Sequence, residues 1–179
     1  MKALDERSRC ATLEECDDGY RLTSRIPRDA TLGSRMRAKE LRRIIGRMIR
    51  HAKPLSLVAN EHEVSAVFDG SEPEANIKRL LSDLNRRVDE FRRERLHPRV
   101  VDELLEISSR ERRRWIKDGR LPISGSASFR RGKQDIHFPL HPPDRIARLA
   151  QAPDIIAEWR ERDRVGTRDI DLRSSQVSG

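Results

Sequence analysis

Two stretches of the first hundred positions carry apolar residues at helical spacing. Leu41, Ile44, Ile45, Met48, Ile49 and Ala52 fall at i, i+3, i+4, i+7, i+8 and i+11, which predicts an amphipathic helix ending near Lys53, before Pro54. Arg42, Arg43, Arg47 and Arg50 fill its other face. Ile77, Leu80, Leu81, Leu84, Val88 and Phe91 repeat the pattern, with Glu74 in the first turn, where the helix dipole favours negative charge. Between them lie two β-like runs, Leu55–Ala59 and Val64–Phe68, split by a polar turn at Asn60–Glu63. Residues 35–96 therefore read as an α-β-β-α module, either self-contained or offering its apolar helical surface as a dimer contact.

Polar positions set the limits of this module. Residues 1–34 mix charge with Thr, Ser, Gly and Pro without a period, and read as a flexible polar arm. His97-Pro98 marks the next boundary, because a residue before proline resists helix. Residues 97–162 form a second domain, and 163–179 read as a polar tail. The expected fold class is α+β, mostly helical.

The second domain opens with Val100–Pro122, VVDELLEISSRERRRWIKDGRLP. Val100, Val101, Leu104 and Leu105 form the inner side of a short helix running to Ile107. Ser108 stands three residues before Glu111, the spacing of a capping box, and so starts a second helix. Trp115 and Ile116 anchor that helix, Gly119 suits the left-handed residue that closes it, and Pro122 prevents its resumption. Helix, tight turn, helix and sharp stop are the parts of a helix-turn-helix. Ser126–Phe129 and Asp135–Phe138 are β-compatible, and Arg130-Arg131-Gly132-Lys133 between them makes a basic turn. Beyond it, Pro142-Pro143-Asp144 opens helical segments carrying Ile146, Leu149, Ile155, Ile156 and Trp159, which suit packing beneath this domain.

Charge sharpens the reading. Across 179 residues the net charge is +8, and 38% of positions are charged. Six of the 38 basic residues are Lys (2, 39, 53, 78, 117 and 133) and the other 32 are Arg. The planar Arg fork suits phosphates and guanine edges, so the balance points to a nucleic acid. Arg110, Arg112, Arg113, Arg114 and Lys117 crowd the second helix of the helix-turn-helix, where such a face can enter a major groove. The basic hairpin after it then reads as a wing that meets backbone or minor groove.

The octet WIKDGRLP (Trp115–Pro122), with a short helix before it and a basic hairpin after it, resembles the winged-helix domains of the excisionase and MerR-like group over residues 98–140. The resemblance implies duplex DNA binding by the second helix and the wing, in transcription regulation or as a recombination directionality factor. It implies base-reading positions at Ser109, Arg110, Arg113, Arg114 and Lys117, with Arg130, Arg131 and Lys133 in the wing. Three positions depart from that pattern. Asp102 replaces a small apolar residue, Glu106 replaces the glycine of the turn, and Arg112 replaces a buried aliphatic.

Other chemistry finds little support in the sequence. There is no phosphate loop, nucleophile elbow or spaced metal pair, so neither catalysis nor a cofactor nor a small-molecule ligand is expected. Cys10 and Cys16 make no disulfide framework, and the His137/His141 spacing is interrupted by Pro139. With no apolar run of membrane length and no secretory signal, a soluble protein of the cytoplasm, at the nucleoid, is expected, with duplex DNA and a second copy as partners. Two alternatives stay open. One is an RNA-binding protein, although aromatics are only 4% and RNA modules need exposed rings. The other is a non-catalytic, antirepressor-like protein that grips a protein partner.

Overall fold

The computed structural model describes residues 10–17 and 19–176, with side chains through residue 165. The fold is α+β, with six strands and seven helices among the described residues, in two compact units, Met1–Glu94 and Arg95–Gly179. No helix among the described residues is long and apolar enough to cross a membrane.

The first unit is built on a four-stranded antiparallel sheet in the order β1-β2-β4-β3, from β1 (Ala11–Cys16), β2 (Gly19–Arg25), β3 (Ser56–Ala59) and β4 (Glu63–Asp69). A short α1 (Arg28–Thr31) leads into α2 (Arg35–His51), and α3 (Glu74–Arg93) follows β4. Ala11, Leu22, Val64, Ala66 and Phe68 of the sheet bury against Leu41, Ile45, Ile49, Ile77, Leu84, Val88 and Phe91 of the two long helices. Ser34 caps α2 by accepting from the Arg37 amide at 3.1 Å. The α-β-β-α order of 35–96 is thus present, as part of a larger sheet.

Two expectations need correction here. The polar arm is not loose over its described part: residues 11–31 supply two strands and a helical turn, while residues 1–9 lie outside the described residues. The strands escape notice because only one face is buried. Ala11, Leu22 and Ser24 point inward, while Glu14, Arg21 and Arg25 point to water and mask the alternation. Gly19 closes the β1–β2 turn at φ 132, where a Cβ would stand 2.3 Å from the Phe68 carbonyl oxygen, so no other residue fits. The helical surface expected to be spare for a dimer is not spare either. It is spent on the first unit's own core.

The second unit comprises α4 (Pro98–Leu105), α5 (Ser109–Lys117), the hairpin β5 (Gly125–Arg131) and β6 (Gln134–Leu140), α6 (Pro143–Ala150) and α7 (Pro153–Gln176). Its core gathers Leu96, Val100, Val101, Leu105, Ile107, Trp115, Leu121, Ile146, Ile156 and Trp159, with His141 fully buried among them. Leu96 and His141 exchange both backbone hydrogen bonds, at 2.8 and 3.1 Å, which ties the chain before α4 to the end of the hairpin. A polar tail starting at 163 is also corrected: α7 runs unbroken to Gln176, and only 177–179 lie outside the described residues.

Candidate nucleic-acid interface

Residues Glu106-Ile107-Ser108 join α4 to α5, and each does a separate task. Glu106 takes a left-handed conformation (φ 51), which turns the chain sharply where a glycine would be less strained. Ile107 is buried beneath the turn. Ser108 caps α5: its hydroxyl accepts from the Glu111 amide at 3.2 Å, and Glu111 accepts from the Ser108 amide at 2.7 Å. Both arms of the expected capping box are present. At the other end Gly119 is left-handed (φ 81), and the Leu121 amide donates back to the Trp115 carbonyl at 2.8 Å. The helix is therefore fixed at both ends by local sequence.

The five cations of α5 divide by direction. At 100° per residue, Arg110, Arg113 and Lys117 fall within an arc of about 60°. Trp115 lies roughly opposite and is fully buried, while the three cations are exposed. Ser109, also exposed, sits beside them as the first helical residue. Among the described residues none of Arg110, Arg113 and Lys117 forms an ion pair; the only bond from the three heads is the 3.1 Å one from Arg113 Nε to the Ser109 carbonyl. Arg112 points inward instead, and its Nε donates to Asp102 Oδ1 of α4 at 2.6 Å. Two of the departures from the winged-helix pattern, Asp102 and Arg112, are thus each other's partner. Arg114 lies on the flank, 2.9 Å from Asp163 Oδ2, so one of the expected base-reading residues is engaged within the protein.

Helix α7 braces α5 from behind. Asp163 accepts from the Trp115 indole Nε1 at 3.0 Å and from Arg120 Nη2 at 2.6 Å, besides Arg114. Burial pushes the Asp163 carboxyl up, but these three donors outweigh it and hold the group below the ordinary carboxylate range. Trp159 meets Trp115 edge to face at 5.0 Å, and the Arg120 guanidinium lies 5.6 and 5.8 Å from the two ring centroids. One turn nearer the cap, Arg160 donates to Glu111 Oε1 at 2.7 Å and to the Glu106 carbonyl at 2.8 Å. Burial likewise raises Glu111, and the bonds from Arg160 and Ser108 more than reverse it.

Beyond α5 the hairpin ends in a two-residue turn, with Arg131 opposite Gln134 and Gly132 at φ 62 in the first central position. A glycine there is the requirement of a type II′ turn, whose twist matches that of the strands. Arg130, Arg131 and Lys133 are exposed at this tip and form no ion pair among the described residues. At the root, His141 Nδ1 bonds the Pro122 carbonyl at 2.8 Å, which joins the hairpin to the segment leaving α5. With Nδ1 donating, Nε2 is left buried without a partner. Burial lowers the His141 pKa, the Pro122 carbonyl opposes this, and the Arg112 cation nearby lowers it further.

Eight candidate residues thus form two exposed groups. Ser109, Arg110, Arg113 and Lys117, with Arg114 at the flank, line one side of α5; Arg130, Arg131 and Lys133 cap the hairpin. Sequence reasoning missed Arg120, Arg160 and Asp163. The signal was present, since Asp163 lies four residues after Trp159 and continues its helical stripe. Among the described residues there is no group of three or more His, Cys, Asp or Glu side chains that could hold a metal ion. Compared with protein-family models, with curated proteins and with solved structures, the chain matches none.

Proposed function

We propose that the second unit is a winged helix-turn-helix that binds duplex DNA, with α5 as the recognition helix and the β5–β6 hairpin as the wing. The protein is then a non-catalytic, sequence-specific DNA-binding protein, serving transcription regulation or the direction of recombination. One observation carries this reading: Arg110, Arg113 and Lys117 share an outward face of a helix whose opposite side is locked by Trp115 and Arg112. The capping box, the glycine stop and the bracing α7 hold this basic face in a fixed position. Cations left unneutralised on a rigid element are what phosphate and guanine contacts require. Arg forks on this face suit guanine O6 and N7, and the hairpin tip suits phosphates beside the groove.

The same proposal includes two copies on a two-fold site, the usual arrangement for helix-turn-helix readers. Val58 on the edge strand β3 and Leu55 immediately before it, 66% and 63% exposed, are apolar side chains that a second copy would cover. Titration of labelled duplex and of single-stranded RNA at two salt concentrations tests the reading. Tighter binding to duplex, with a steep salt dependence, supports it. Preference for RNA, or binding to neither, overturns it.

A further inference from the structure

A cavity of about 540 Å³ opens in the first unit. It lies between the start of α2, the α1 turn and the β3–β4 connection. Arg28, Arg35, Lys39, Arg42 and His62 line it, against one carboxylate, Glu61. The walls are held by hydrogen bonds. Asn60 Oδ1 accepts from the His62 and Glu63 amides at 2.8 and 2.9 Å, and Arg42 Nη1 donates to the Asn60 carbonyl at 3.2 Å. The Ile26 amide donates to the His62 carbonyl at 2.7 Å, and Thr31 Oγ1 to the Arg28 carbonyl at 3.2 Å. The cations therefore face a preformed concavity, not a mobile loop.

This arrangement runs against stability. Arg35, Lys39 and Arg42 stand at i, i+4 and i+7 on α2, where like charges repel. Arg28 and Lys39 form no ion pair among the described residues. Arg28, Lys39 and Arg42 together exceed what a monocarboxylate needs, and they match the double charge and several acceptor oxygens of a phosphate.

We propose that this cavity binds a phosphate group, carried by a nucleic-acid backbone or by a small phosphorylated molecule. The site is independent of the duplex reading of α5. The test titrates the full chain with sodium pyrophosphate, and separately with a short duplex, while backbone amide resonances are followed. Pyrophosphate should shift the amides of Lys39, Arg42 and His62. Arg28→Glu and Lys39→Glu, both at exposed side chains, should keep the fold by circular dichroism and weaken pyrophosphate binding about tenfold or more each.

The duplex arm separates the two sources. If the phosphate belongs to DNA, both variants lower duplex affinity for all sequences alike, and the logarithmic salt slope falls by about one per lost contact. If it belongs to a small molecule, duplex binding is unchanged while pyrophosphate binding is lost. Arg113→Ala should leave pyrophosphate binding intact, whether or not α5 reads DNA. The proposal is overturned if pyrophosphate leaves the three amides unmoved, if both charge reversals bind it like wild type, or if Arg113→Ala alone abolishes the shifts.

Discussion

Asp163 accepts the indole N–H of Trp115, 48 positions earlier, and so fastens α7 to the core side of α5. The same carboxylate holds Arg120 and Arg114, so one acidic side chain sets the depth, rotation and flank of the helix that carries the exposed cations. Asp163→Ala strands the buried indole N–H and should cost about 1–3 kcal/mol. Thermal denaturation should show a lower Tm, with Asp163→Asn between the two. A Tm within a degree of wild type would show that α7 is not a brace.

The ion pair between Asp102 and Arg112 is mostly shielded, at 22% and 12% side-chain exposure. Removing one partner strands the other, so Asp102→Ala should destabilise by about 3 kcal/mol. The double change to Asp102→Ala with Arg112→Leu should recover most of that loss, since an apolar pair can replace a buried ion pair. A double-mutant cycle by chemical denaturation measures the coupling. Additive losses would mean the two side chains are independent.

His141 links the second unit's stability to pH. Its folded pKa lies below the unfolded value of about 6.5, so the unfolded chain binds the extra proton first. Stability is therefore full above pH ~6.5 and falls as pH drops through the folded value. Asp102 and Arg112 are the charged groups felt at the ring. Depressed Asp163 and Glu111 add a further loss of the same sign below about pH 4. Tm measured from pH 7.5 to 5 should decline for wild type and stay nearly level for His141→Gln. Equal slopes for the two proteins would contradict the assignment.

Trypsin should spare the bonds after Arg21 and Arg25. Both residues lie on β2, which is paired with β1 on one side and β4 on the other, so cleavage requires opening the sheet. Limited digestion followed by mass spectrometry should show these sites protected as long as the first unit's core. Early cuts there would mean that the N-terminal segment is loose after all.

The parts of the fold written in short range were legible in the sequence. The α2 and α3 stripes, the Ser108–Glu111 box, the Gly119 stop and the glycine of the 130–133 turn each depend on spacings of a few residues. What escaped depends on partners far along the chain. β1 and β2 are weak as isolated strands and gain their burial only from α3 and β4. Asp163 reads as one more charge in a polar tail until Trp159 places it over Trp115. Asp102 and Arg112 look like two separate misfits to a winged-helix pattern, and only the structure shows that they pair with each other.

In vitro selection from a random-sequence duplex pool tests the central claim most directly. Full-length protein should enrich a shared motif. Arg113→Ala should lose preference at one base pair, at a cost of about 1–3 kcal/mol. A variant with Arg130 and Lys133 changed to Ala should keep the motif, bind all sequences more weakly, and show a salt slope reduced by about one per contact. Should wild type enrich no motif, or should Arg113→Ala select the same motif with the same affinity, the basic face of α5 does not read DNA.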